Sequence, residues 1–129
     1  MNIRIPASAG ELVDKIAILE IKSERIEDAA KLRNVRRELA LLSAVREREL
    51  PHHPEIRDLA AELKRINETL WEIEDEIREC ERRADFGPRF IALARAVYRT
   101  NDARAAAKRR IDAAVGSQIV EEKSYATYE

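Results

Sequence analysis

Residues 56–80 read IRDLAAELKRINETLWEIEDEIREC, and apolar side chains recur there at Ile56, Leu59, Leu63, Ile66, Leu70, Ile73, Ile77 and Cys80, continuing to Ala84. Steps alternating between three and four place all of these on one face of a helix, which must lie against a partner along its whole length. The next segment begins in the same rhythm with Phe90, Leu93 and Val97. It then sets Thr100 and Arg104 on the seam before returning to Ala107 and Ile111. Two long helices joined through Asp85-Phe86-Gly87-Pro88 predict a hairpin. An arginine on its inward face predicts a polar layer, because a buried guanidinium requires a partner. Folding the hairpin about Phe86 and Gly87 sets Arg104 opposite Leu70 and Trp71, within reach of Glu74 or of an acid on the first helix. Glu20 is the expected partner.

Working outward, Pro51-His52-His53-Pro54 breaks the chain ahead of this hairpin, and Pro54 suits the first turn of a helix. Upstream, Ser8 with Glu11 has the spacing of a capping box. Leu12, Ile16, Leu19 and Ile26 then form a stripe that Val13, Ile18 and Ile21 widen, so this helix should be covered on several sides. The apolar phase slips near Asp28, which predicts a turn capped by that residue; one bent helix is the alternative, since no glycine or proline stands there. Gly116 supplies a C-cap. The expected fold is all-α: an antiparallel bundle of about four helices at 9–26, 28–49, 54–84 and 88–115, with a long hairpin from the last two. An extended arm (1–7) precedes it and a tail (117–129) follows, which either pairs with the arm, docks on another subunit or lacks order. The first two helices are too short to cover the hairpin, so a second copy should, and a homodimer is expected.

The 129 residues suit one domain with a real core. Charged residues make up 38% and the net charge is −1, so no global field recruits nucleic acid or an anionic membrane. No stretch has the length of a membrane span or the form of a secretion signal, which gives a cytoplasmic expectation. The lone cysteine, Cys80, continues an apolar seam and reads as a small hydrophobe. His52 and His53 are adjacent in a loop rather than spaced four apart on a helix, so no metal is expected, and no cofactor motif occurs. Asn67-Glu68-Thr69 is a glycosylation sequon inside a helix and is set aside.

The candidates for chemistry are the polar residues at or beside the seams. On the last helix these are Arg95, Tyr98, Asn101, Asp102, Arg104 and Lys108; on the first they are Glu11, Asp14, Lys15, Glu20 and Lys22. One reading makes them a buried charged layer that fixes helix register in a non-enzymatic interaction or assembly module. The other makes them a pocket between the first and fourth helices for an anionic small molecule, a sugar phosphate or a nucleotide. There Arg104, Lys108 and Arg95 would bind the anion, Tyr98 and Asn101 would orient it, and Glu20 would be the general base of a small all-α enzyme.

Gly10-Glu11-Leu12-Val13-Asp14-Lys15 leading into Leu19-Glu20-Ile21-Lys22, with Leu70-Trp71-Glu72-Ile73-Glu74-Asp75 and Asp85-Phe86-Gly87-Pro88-Arg89-Phe90 through Val97-Tyr98-Arg99-Thr100-Asn101-Asp102, resembles an uncharacterised family of short bacterial proteins. The resemblance spans nearly the whole chain. It implies a bacterial, cytoplasmic setting and a connection to surface-polysaccharide synthesis, and it carries no catalytic residues with it.

Overall fold

The computed structural model describes residues 1–128. Four helices follow one another: α1 (Ala9–Arg25), α2 (Ala29–Glu49), α3 (Pro54–Arg82) and α4 (Pro88–Val115). Their ends follow from local chemistry. The Ser8 hydroxyl accepts the Glu11 amide at 3.1 Å, and the Asp28 carboxylate accepts the Lys31 amide at 2.9 Å. The phase slip is therefore a true turn between two helices. Ser8 and Glu11 form only half of a capping box, because the Glu11 carboxylate is drawn to Lys108 instead. His53 caps α3, its Nδ1 accepting the Glu55 amide at 3.2 Å.

The α3 helix stops at Arg82, two residues short of the expected boundary. Ala84 takes a left-handed backbone (φ 54°), while the Asp85 amide reaches back to the Cys80 carbonyl at 2.9 Å. This closure usually employs glycine, and an alanine there carries a cost of about 1 kcal/mol. Gly116 makes the corresponding turn at the end of α4 (φ 67°) without that cost.

The helices run alternately up and down, and α1 is enclosed by α2, α3 and α4. Val13, Ile16, Ala17, Leu19 and Ile21 are consequently buried on several sides. The α2 helix touches α1 alone, and Val35 is its one buried residue. The bundle is thus a three-helix body with α2 leaning on its first helix. At about 1.5 Å per residue, α3 and α4 are each a little over 40 Å long and α1 about 25 Å. Arg25 at the end of α1 reaches Glu72 of α3, so the hairpin beyond that level projects uncovered by α1. Phe86 and Ile91 in the projection are 53% and 55% exposed. The interior forms two apolar clusters. One gathers Val13, Ile56, Leu59, Leu63, Ala107 and Ile111; the other, in the projection, gathers Ile73, Cys80 and Leu93. Among the described residues no helix is long and apolar enough to cross a membrane.

Among the described residues of the tail, 117–128, no bond to the arm is present. The tail turns back along α4, where Arg109 donates to the Glu121 carbonyl at 3.1 Å and the Tyr128 hydroxyl to Asp102 at 2.7 Å.

Candidate functional site

Between the two apolar clusters, α1, α3 and α4 each contribute polar groups to one buried layer. Asp14 extends one step beyond Val13 on the enclosed face of α1 and is 0% exposed. Arg104 of α4 holds it side-on, Nε to Oδ1 at 3.0 Å and Nη2 to Oδ2 at 2.5 Å. Asn67 of α3 donates a third bond to Oδ1 at 2.9 Å. Both carboxylate oxygens are therefore occupied, which is what a buried charge requires. One turn along α4, Lys108 is 6% exposed and bonded to Glu11 at 2.8 Å and Glu121 at 2.9 Å. A further turn on, buried Asp112 accepts the Gly10 amide at 2.7 Å, placing a carboxylate at the positive end of the α1 dipole.

This close approach depends on Gly10. A Cβ at that position would lie under 3.0 Å from the Lys108 carbonyl oxygen and 3.0 Å from Asp112 Oδ1. No buried polar side-chain atom among the described residues is left without a partner.

Three of these groups, Arg104, Lys108 and Glu121, are held in their charged forms by their neighbours. Asp14 raises the Arg104 pKa against the opposing effect of burial. Burial pulls Lys108 down, but its bonds to Glu11 and Glu121 outweigh that and its net direction is up. Lys108 in turn holds the Glu121 carboxyl below the usual range. The carboxylates Glu11, Asp14, Asp112 and Glu121 outnumber the cations Arg104 and Lys108 around which they gather.

The expected residues separate into distinct places. Glu11, Asp14, Arg104 and Lys108 form the layer. Tyr98, Asn101 and Asp102 lie instead under the tail, where Tyr98 meets the Tyr128 ring edge-on at 5.1 Å and Lys123 donates to the Asn101 carbonyl at 3.5 Å. Lys15 is exposed and pairs with Glu38 of α2 at 3.5 Å. The Lys22 carbonyl accepts the amide of the Ile26 cap at 2.9 Å. Arg95 is exposed, with no partner among the described residues, nine positions or about 13 Å along α4 from Arg104.

Glu20 is not the partner of Arg104. Because α1 runs antiparallel to α4 with Gly10 at Asp112, Arg104 is level with Ile18 and its long side chain reaches back one turn to Asp14 on the enclosed face, whereas Glu20, six residues on from Asp14, is turned about 120° away around α1. Its field acts on Lys64, which Glu24 bonds directly at 3.0 Å. Glu74 pairs with Arg78 on its own helix.

Three participants escaped the sequence reading. Asn67 stands one step off the seam, within the Asn67-Glu68-Thr69 sequon. Asp112 belongs to the last turn of α4, where the only signal was a glycine in the first turn of a helix, a place that favours close backbone approach. Glu121 comes from the tail, which has no periodicity to reveal it. Beside the layer, Arg104 also lines a groove of about 420 Å³ walled by Ile18, Ile21, Leu70 and Trp71, with Glu74 and Arg78 at its edge. Among the described residues no group of three His, Cys, Asp or Glu side chains is arranged to hold a metal ion.

The chain belongs to the family of unknown function DUF6165, whose model matches residues 1–128. No curated protein and no solved structure matches it.

Proposed function

We propose that this chain is a non-enzymatic helical interaction module, in which the Asp14–Arg104–Lys108 layer fixes the register of α1 against the α3–α4 hairpin. The observation that carries the reading is the charge balance of the layer: both cations are bonded to carboxylates of the chain itself, and carboxylates are in excess. A phosphate entering there would meet net negative charge. Asp14 could not act as a general base either, since Arg104 and Asn67 hold both its oxygens away from solvent. A polar layer between two apolar clusters favours one axial alignment over slipped ones, as a buried polar residue does in coiled coils.

The test replaces the whole layer centre with apolar residues, Asp14→Leu with Asn67→Leu and Arg104→Leu. Removing a complete buried ion pair is often neutral or stabilising, so this variant should fold and melt near the wild type. Neither protein should gain thermal stability from phosphate, sugar phosphates or nucleotides. A rise of several degrees in the wild type with one of these anions, absent in the variant, would favour a ligand pocket and sink the proposal.

Assembly as a homodimer through the projecting end of the hairpin is part of the same reading. The side chains of Asp75 and Glu81 on α3 and of Arg95 on α4 are exposed. An antiparallel two-fold pairing of two projections would set α3 of each against α4 of the other, joining these opposite charges around Phe86 and Ile91. Ile91→Asp should then halve the mass measured by light scattering. A wild type that is already monomeric at high micromolar concentration would exclude this arrangement.

A further inference from the structure

We infer that the strip of α4 beneath residues 117–128 is a docking groove for an extended acidic peptide of a partner protein, one bearing adjacent carboxylates and a tyrosine about six residues later, and that the chain's own tail occupies it as a placeholder. This rests on the reading of the chain as an interaction module and gives the chemistry of its partner.

The tail itself shows what the strip accepts. Glu121 meets Lys108 at 2.9 Å, and Glu122 meets Arg109. Six residues on, Tyr128 lies against Tyr98 and under the Arg99 guanidinium, 5.9 Å from its ring, with its hydroxyl on Asp102. Basic groups at one end and an aromatic, hydroxyl-reading end at the other are positioned on a single rigid helix. Between them runs a cavity of about 680 Å³ that the tail roofs without filling.

The hold is light. No residue of 118–128 is buried, and Tyr125 above the cavity is 80% exposed. The contacts are mostly exposed ion pairs of small individual worth, and the tail's advantage is its tether at Gly116, which raises its local concentration. A partner segment that reproduced both charge contacts and also filled the cavity would displace it. Because Glu121 neutralises Lys108, the occupant of the strip is joined electrostatically to the layer that holds α1.

The experiment uses the full chain with Glu121→Gln, Glu122→Gln and Tyr128→Ala, substitutions at exposed sites that release the tail. Its fold is checked by circular dichroism. The probe is a fluorescein-labelled synthetic peptide of residues 117–128, followed by polarisation. We expect it to bind the released chain at least tenfold more tightly than the wild type, and to lose that binding when its own glutamates become glutamine or when Lys108→Met and Arg109→Ala are added to the chain. In the wild type, excess unlabelled peptide should speed tryptic cleavage after Lys123, a readout that holds even if the released chain folds poorly. Equal affinity for both chains, or no binding to either with no change in cleavage, would overturn the inference while leaving the behaviour of the apolar layer variant as the separate measure of the module reading. A wild-type dimer that dissociates only when the tail is released would also overturn it, because the occupant would then be the tail of a second copy.

Discussion

Replacing Gly10 with alanine sets two opposite expectations against each other. In a helix taken alone, alanine is favoured over glycine by about 1 kcal/mol in the interior and by less in the first turn. In this protein the new methyl group would lie under 3.0 Å from the Lys108 carbonyl oxygen, a backbone atom that cannot rotate away. Relief requires the start of α1 to retreat from α4 by several tenths of an ångström. Overpacking of this kind costs about 1–3 kcal/mol. The same retreat stretches the 2.7 Å bond from the Gly10 amide to Asp112, an interaction with a charged acceptor worth about 1.5–3 kcal/mol when intact. Offset by the helix preference, the net loss should be about 2 kcal/mol. For a chain of this size that is a fall of about 6–8 °C in Tm. Thermal and urea denaturation followed at 222 nm will measure it, with Asp112→Asn as the companion that keeps an acceptor but removes its charge and should lose less. A Gly10→Ala protein as stable as the wild type, or more so, would show that α1 and α4 do not approach as closely as described.

Asp14→Ala alone should cost about 3 kcal/mol, near the lower end for a broken buried pair because Arg104 retains some access to water; equilibrium urea unfolding reads the loss, and a change under 1 kcal/mol would contradict the burial of this carboxylate. Ala84→Gly should stabilise the chain by about 1 kcal/mol, seen as a Tm rise of about 3 °C, since it relieves the left-handed alanine between α3 and α4; a lower Tm would mean that this residue is not left-handed. Glu121 has its pKa depressed, so its contribution is complete above the ordinary carboxyl value of 4.5 and disappears as pH falls through the lower folded value. NMR of the Tyr128 ring should therefore show the tail leaving Tyr98 only below about pH 4.5, and undocking at neutral pH would argue against the Lys108 contact. Cys80, buried in the projecting hairpin, should react with a thiol reagent far more slowly in the native chain than in denaturant.

The hairpin was legible because one residue spacing, repeated for eight turns, admits no other secondary structure. Arg104 was legible as a buried cation for the same reason: it interrupts a seam. Its partner was not, because Asp14 and Glu20 lie on either side of the level of Arg104, and choosing between them requires knowing which side of α1 is turned inward, a rotation set by packing against three neighbours. Asn67 was hidden by the assumption of a single seam on α3. That helix is covered by α1 as well as by α4, so its buried stripe is wider than an alternation of three and four describes. The shallow attachment of α2 was equally hidden, since the half-buried Leu32, Leu39 and Leu42 look in sequence like any core stripe. The tail followed no period, and its place on α4 depends on a few charge contacts that pattern reading cannot rank.

That attachment of α2 to one neighbour makes the molecule energetically uneven. Separating residues 29–49 from the body would break one interface, that of Val35, the half-buried Leu32, Leu39 and Leu42 and the Lys15–Glu38 pair with α1, whereas freeing α1 would expose the interior on three sides. Backbone amides of α2 should therefore exchange with deuterium through a low-energy opening of their own, well before those of α1 and α3.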